Sequence, residues 1–358
     1  MRIFVAVLLL LPLFSGCREY TIAAPFSLAP HGWQAMGVLE TDLNSADLAN
    51  IKAAFDDAGR LYCAYERPGD GIQVKRLRSG RWEALSATMS PAPNCSNMQF
   101  VVTEGGTPFL ACGSNDHIII RYWDGGVWHD EYSFLHSGWK ALALGFDYDK
   151  NLVLAYSDSV PDILIRKKND WNTAYYVTNG TVNASALQPL SSAVFTNMIY
   201  VTGPGVPAML FTTTNAIVSW EQYPDTAVTN GQALVDGYGK VVVAALGEDG
   251  IVRFRGAIPG STVWNDEAML TIPNVNAYRM VQYRSGTEMF LSVRTFNTPP
   301  IPNEAVTLYQ ANPWRQYSDP AKSPVVFGHA LAVSPADEVW MVAVVWNRDV
   351  GGSTYYDL

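Results

Sequence analysis

Seven polar side chains recur early in otherwise apolar runs of the sequence, one in each run. They are Lys52, Gln99, Lys140, Asn197, Gln232, Arg279 and His329. Those at positions 52, 99, 232 and 279 each stand seven residues before a turn glycine, which indicates equivalent places in equivalent segments. Amide, ammonium and guanidinium groups that meet at one place can bind a carboxylate or another anion. A wet lining that merely tolerates polar residues explains the pattern equally well.

A second set of residues lies in the loops after the next apolar run of each segment. It contains Asp70, Asp116, Asp158, Asp162, Asp249 and Asp349, with the aromatic residues Trp139 and Trp346. A ring of carboxylates can hold a cation or accept hydrogen bonds from a polyol, and an aromatic ring can stack on a sugar. The alternative is structural, because Asp forms turns in any protein.

No set of catalytic residues stands out. The sequence lacks a Gly-x-Ser-x-Gly elbow, a His-Glu-x-x-His motif and a phosphate-binding glycine loop. Its five histidines are scattered, and the cysteine spacings do not indicate a zinc site. We therefore predict no catalytic residue, no metal ligand and no cofactor, apart from a structural cation that the acidic loops could hold.

The net charge of −9 and the pI near 5.0 argue against a nucleic-acid partner. Binding to phosphate backbones needs clustered Lys and Arg, and the basic run at positions 75–81 is short and interrupted. A solvated strand face explains that run. The remaining partners are a protein, a glycan or a lipid.

The elements that carry these residues repeat along the chain. Residues 51–85 read as four short strands joined by turns, and a Trp opens the fourth strand. That marker recurs at Trp33, Trp82, Trp128, Trp171, Trp264 and Trp314, with separations of 49, 46, 43, 93 and 50 residues. The separation of 93 predicts one copy that has lost its Trp, near Asp225. Turns between first and second strands are predicted in seven places, one of them at Pro204-Gly205.

Four strands in a period of forty-odd residues, repeated seven times, predict an all-β fold, a seven-bladed β-propeller over residues 30–358. The chain ends on a third strand from Ser353 and begins with a spare fourth strand, Trp33 to Val38. We expect this N-terminal strand to complete the last blade and close the ring without an open edge. Innermost strands line the central channel, so the seven polar residues would lie at its top mouth, inside a rim of the loop acids.

The N-terminus reads as a secretory signal over residues 1–16, with one positive charge and an apolar run too short to span a bilayer. Its end, Leu13-Phe14-Ser15-Gly16-Cys17, resembles the bacterial lipobox. The resemblance implies that Cys17 is acylated and anchors a short tether, residues 17–29, to membrane lipid. Arg18 after the acylated Cys implies the outer membrane of the cell envelope. Ordinary cleavage with loss of Cys17 is the alternative.

Three cysteines follow the tether: Cys63, Cys95 and Cys112. In an oxidising compartment we expect two of them to form a disulfide. The sequence does not choose among the three pairings.

The repeat resembles the propellers of sialidases in blade architecture. Their Asp-box survives only as a Gly and a Trp, at Arg78-Ser79-Gly80-Arg81-Trp82 and Asp124-Gly125-Gly126-Val127-Trp128. We therefore predict a non-catalytic, membrane-anchored propeller that binds a protein partner or a glycan on its top face. A glycan-processing enzyme, a hydrolase or lyase with its site at the channel mouth, is the alternative that the resemblance implies.

Overall fold

The architecture is all strand in the described part of a computed structural model of the chain. The described residues are 26–29, 32–35, 50–67, 71–85, 96–114, 116–136, 138, 141–157, 162–178, 186–190, 197–203, 206–213, 221–225, 231–236, 238–247, 249, 251–258, 263–272, 274–282, 288–296, 304–311, 315–316, 321–323, 326–350 and 353–357. The signal segment and Cys17 lie outside them. The first two strands, β1 (Phe26–Ala29) and β2 (Gly32–Ala35), form a hairpin.

Six antiparallel sheets are then built, each from strands consecutive in the sequence. The first three comprise β3 (Lys52–Phe55), β4 (Leu61–Arg67), β5 (Gly71–Arg78) and β6 (Arg81–Ala84); β7 (Ser96–Val102), β8 (Pro108–Ser114), β9 (His117–Trp123) and β10 (Trp128–Leu135); and β11 (Leu142–Phe146), β12 (Leu152–Ser157), β13 (Ile163–Lys167) and β14 (Asp170–Thr178). The next three comprise β15 (Ala186–Leu190), β16 (Asn197–Gly203), β17 (Val206–Thr213) and β18 (Glu221–Asp225); β19 (Gln232–Val235), β20 (Val241–Leu246), β21 (Ile251–Ala257) and β22 (Asn265–Thr271); and β23 (Val275–Gln282), β24 (Met289–Phe296), β25 (Glu304–Gln310), β26 (Arg315–Gln316) and β27 (Ala321–Ser323).

A further sheet combines both ends of the chain. It contains β28 (Val326–Val333), β29 (Val339–Val350) and β30 (Ser353–Asp357) together with the N-terminal hairpin. Strand β1 pairs with the first half of β29, with Phe26 opposite Met341, whereas β30 pairs with the second half. The predicted pairing of Trp33 to Val38 with the final strand is therefore wrong for the described residues. Because β29 is longer than expected, β1 pairs with its first half and β30 pairs with its second half.

The core lies between the sheets rather than within one of them. Phe109 and Ile118 of one sheet, for example, pack in the same buried cluster as Leu154 and Trp171 of the next. The innermost strands contact one another in the order β3, β7, β11, β15, β19, β23, and β28 contacts both β23 and β3. Sheets that pack face to face around an axis form a β-propeller, as predicted. Six of its blades consist of consecutive strands.

Polar side chains fix the tight turns between first and second strands. Asp56 accepts a hydrogen bond from the backbone N–H of Arg60 (2.9 Å), and Asp147 and Asp236 accept the same bond four residues on. Thr103 and Ser334 do so through their hydroxyl oxygens. These side chains hold the backbone of their own turns, which explains the Asp-rich turns in the sequence without a ligand.

The blade that contains Asn197 is assigned wrongly by the sequence reasoning. Its innermost strand is β15, so Asn197 begins the second strand and Pro204-Gly205 lies between the second and third strands. Pro189 within β15 hid this strand, because Pro normally argues against a strand. The fourth strand, β18, follows Trp220 directly, so this blade has not lost its Trp.

Two cysteines lie among the described residues. Cys63 is a buried free thiol, and burial raises its pKa. Cys112 is disulfide-bonded to a partner outside the described residues. Since Cys63 is free, two of the three pairings that the sequence left open are excluded.

Candidate functional site

One cavity of about 780 Å³ brings together four of the seven predicted channel residues. Lys52 from β3, Gln99 from β7, Gln232 from β19 and Arg279 from β23 line it. They come from four blades, and each lies on the strand nearest the axis. The cavity is formed where the innermost strands approach one another.

The remaining three predicted residues are placed differently. Asn197 lies on a second strand, as described above, and Lys140 lies outside the described residues. His329 is on the innermost strand β28 but is buried, with 4% of its surface exposed. It is not among the residues that line the cavity.

Gln188 lines the cavity and was missed by the sequence reasoning. On β15 it stands opposite Tyr200, just as Lys52, Gln99 and Gln232 stand opposite Ala64, Ala111 and Ala244 on their own second strands. A signal for it exists, because Gln188 precedes Gln232 by 44 residues, which is close to one period.

Two of the glutamines bind neighbouring blades together. The side-chain oxygen of Gln188 accepts a hydrogen bond from the backbone N–H of Ala233 (2.7 Å). Gln232 repeats this one blade further, accepting from the backbone N–H of Met280 and donating to the carbonyl of Tyr278, both at 3.0 Å. Gln99 differs, since among the described residues its side-chain nitrogen makes only long contacts of 3.4 and 3.5 Å, both with Asn97. Gln99 is thus the amide of this set that is least committed to the scaffold.

The described lining of the cavity carries positive charge. Lys52 and Arg279 are charged residues of it, and no Asp or Glu is among the described residues that line the cavity. Burial, together with the positive charge of Arg279, lowers the pKa of Lys52 to about 8. Desolvation lowers the pKa of Arg279, and the neighbouring Arg294 lowers it as well. An anion placed between Lys52 and Arg279 would stabilise the charged form of each and so raise both pKa values.

His329 serves the scaffold rather than the cavity. Its Nε2 lies 2.7 Å from the hydroxyl oxygen of Ser292 on β24, across the junction of two sheets. Burial first, and then the charges of Arg279 and Arg294, lower its pKa to about 3. His329 is therefore neutral near pH 7, and the cationic role considered for it does not fit this environment.

The predicted acidic rim is only partly placed by the structure. Asp116, Asp162 and Asp249 lie in connections between second and third strands, as expected. Asp249 is held by Arg253 and by the backbone N–H of Ile251, as a turn residue would be.

Asp349 and Trp346 lie within β29, opposite Thr354 and Tyr356, so their assignment to a loop is wrong. The cause is the length of this strand, which continues where other blades have a connection. Asp70, Asp158 and Trp139 lie outside the described residues.

Tyr278 is a further titratable side chain of the described lining. Burial raises its pKa to about 12, so it stays protonated near pH 7. Within the described residues no cluster of three metal-ligating side chains is found. No helix there is long and apolar enough to cross a membrane.

Comparison with known proteins gives structural similarity only. No family model and no curated protein matches the chain. The fungal Aleuria aurantia lectin, described as a six-bladed β-propeller with a fucose recognition mode, matches with a TM-score of 0.45 and 14% identity over 68% of this chain and 86% of the lectin. A mutant of that lectin in complex with Fucα1-6GlcNAc matches with a TM-score of 0.45 and 14% identity over 68% and 87%.

A triple arginine-to-alanine mutant of AofleA from Arthrobotrys oligospora is also similar. The TM-score is 0.52 and the identity 11%, over 83% of this chain and 93% of that one. At this identity the similarity shows a shared fold and no shared function.

Proposed function

We propose that this chain is a non-catalytic binding propeller that takes a glycan at the mouth of its central channel. The observation that carries the proposal is the cavity of about 780 Å³, which lies within the usual size range of small-ligand sites. Side-chain amides and two cations line it beside aliphatic residues. Sugars offer many hydroxyl groups, which match such donors and acceptors.

Titration of the full-length chain with a panel of neutral and acidic oligosaccharides tests this proposal. Gln99→Leu should weaken binding of any ligand found, because it removes the least committed amide from the lining. Asn169→Ala, on an exposed turn away from the cavity, should leave binding unchanged. Capture of a protein with no oligosaccharide binding would overturn the glycan proposal in favour of a protein partner.

The enzyme alternative finds no support in the cavity. Paired-carboxylate hydrolysis needs two acids that flank the bond, and the described lining has none. Ser292 and His329 are hydrogen-bonded to each other but are both buried away from the lining. A glycosidase activity that Arg279→Ala abolishes would overturn this part of the proposal.

We propose further that the sheet made from both chain ends is a seventh blade that closes the ring. Its support is the pairing of β1 with β29, the contacts of β28 with β3 and β23, and the position of Trp33 in the outermost strand β2. In six other places a Trp is the first or second residue of an outer strand or directly precedes it. Deletion of residues 26–35 should lower the denaturation midpoint of the whole propeller; an unchanged midpoint would overturn this proposal.

The cellular location is also a proposal, and its support is the sequence alone. We propose that the chain is exported to the cell envelope and anchored to the outer membrane through lipid on Cys17. Metabolic labelling with a radioactive fatty acid should mark the wild-type chain and fail to mark Cys17→Ser. Labelling of both forms would place the lipid elsewhere or show that it is adventitious.

A further inference from the structure

The cations of the cavity differ from most other cations of this chain. The protein carries 33 acidic and 24 basic residues, and described cations are commonly paired with a carboxylate. Examples are Arg60 with Asp56, Arg121 with Asp130, Lys167 with Asp147, Lys240 with Glu267 and Arg253 with Asp249. Lys52 and Arg279 have no acidic partner among the described residues. Two like charges are thus brought together in one cavity of an acidic protein.

The donors of these two groups are largely unused within the described structure. One guanidinium nitrogen of Arg279 donates to the carbonyl of Tyr278 at 2.9 Å. A guanidinium has five N–H donors in a planar fork, so most of them remain for a ligand. Lys52 has three donors on its ammonium group and makes no ion pair with a described residue.

The strand between these cations, β28, places no described polar side chain in the cavity lining. β28 contacts both β3, which carries Lys52, and β23, which carries Arg279. Its own polar residue, His329, is directed at the buried hydroxyl of Ser292 and so does not compete for the same anion. Gln99, on the far side of Lys52, adds an amide that is weakly held by the scaffold.

We propose that the channel mouth binds the carboxylate of an acidic sugar, a proposal that rests on the glycan-binding function proposed above. Arg279 offers the planar fork that matches a carboxylate, and Lys52 adds a second positive charge. Gln99 is placed to bind a hydroxyl of the same sugar. The ligand class is therefore a uronic or sialic acid residue, free or at the end of a glycan.

Matched pairs of ligands test this inference directly. The probes are oligosaccharides that end in glucuronate, galacturonate or sialate, each compared with its methyl ester, which keeps the sugar and removes the charge. The full-length chain should bind at least one acid about 10- to 100-fold more tightly than its ester, as a charge-assisted hydrogen bond predicts. Added salt should reduce that preference.

Variants then assign the preference to the two cations. Arg279→Gln and Lys52→Gln should each reduce the ratio of acid to ester affinity, and the double variant should abolish it. Arg255→Gln is the control, because this arginine lies on the third strand of its blade and pairs with Asp266. A thermal melt of each variant shows whether it is folded before its affinity is compared.

The outcomes separate this inference from the function on which it rests. Equal affinity for an acid and its ester would overturn the carboxylate inference and leave glycan binding intact. Binding of an acidic peptide in place of every acidic sugar would overturn the ligand class. Absence of binding to the whole panel would overturn the proposed function and this inference together.

Discussion

Protonation of His329 should weaken the junction between β24 and β28, and this can be measured through the pH dependence of stability. The imidazole is buried and shares one hydrogen bond with the hydroxyl of Ser292. Its pKa is lowered to about 3 from an ordinary 6.5. In the unfolded chain it takes up a proton below pH 6.5, whereas the native state excludes that proton. Falling pH therefore favours unfolding, from pH 6.5 down to the folded pKa.

The size of the effect follows from the linkage between protons and folding. Each pH unit below 6.5 costs about 1.4 kcal/mol while the folded histidine stays neutral, so a change from pH 7 to pH 5 costs about 2 kcal/mol. The carboxylates of Asp124, Asp170 and Asp249 contribute little in this window, because the unfolded pKa of Asp, about 3.9, lies below pH 5. In the folded chain hydrogen bonds lower the pKa of Asp124 and Asp249 to about 2, and the pKa of Asp170 is lowered as well.

Chemical denaturation of wild type and His329→Gln at pH 7 and pH 5 isolates this contribution. Gln keeps a group that can bond to Ser292 but does not titrate, so the variant should lose about 2 kcal/mol less than wild type over the same interval. Asn169→Gln, on an exposed turn, removes no titratable group and should keep the wild-type dependence. Identical pH dependence in wild type and His329→Gln would refute the reasoning, whatever the stability of the variant at pH 7.

Further predictions concern the charge of the cavity, the disulfide and the packing of the innermost strands. Affinity for an acidic sugar should fall between pH 7 and pH 9, because Lys52, which faces Arg279, loses its proton near pH 8; titration calorimetry at fixed salt measures this, and a flat profile would contradict it. Cys112 should be found joined to Cys95 in non-reducing peptide mapping, since their sequence neighbours at 113 and 96 pair across β7 and β8. Cys112→Ser should cost roughly 2–4 kcal/mol of unfolding free energy, and a smaller loss than 1 kcal/mol would argue against a structural bridge. Gly231→Ala should cost about 1–3 kcal/mol, because its Cβ would lie 2.8 Å from a valine methyl and 3.1 Å from a backbone oxygen, and an unchanged denaturation midpoint would contradict that packing.

The repeat could be predicted from the sequence because its markers are enforced by local physics. The tight turns that begin at Asp56, Asp147 and Ser334 are held by side-chain acceptors at fixed positions, so these residue types recur visibly. The outer-strand Trp residues recur for a similar reason, and Trp220 restores separations of 49 and 44 residues where one of 93 had suggested a loss. Four cavity residues followed from the same periodicity.

Pairing between distant parts of the chain could not be predicted in the same way. No local sequence pattern indicates that β29 continues for twelve residues and pairs with both β1 and β30. Asp349 and Trp346 were assigned to a loop for this reason. The neutrality of His329 is likewise a consequence of burial by other strands and of two nearby arginines, none of which the sequence places beside it.

The strand that the sequence reasoning missed shows how the channel tolerates residues that a central strand would reject. β15 has one neighbour in its sheet, β16, and its other edge faces the axis, so the missing N–H of Pro189 removes no bond from a second ladder. The adjacent innermost strand has Gly145 at the point of contact, where a Cβ would lie 3.0 Å from the Pro189 ring. Gln188, next in sequence, then supplies a side-chain oxygen to the backbone of β19. Among the described strands, the edges of the innermost strands that face the channel have no neighbouring strand to pair with. Side-chain amides bond to the backbone of the next innermost strand instead, so a glutamine at this position links two blades. In the proposed site, ligand contacts therefore fall to Lys52, Gln99 and Arg279, which do not link blades in this way.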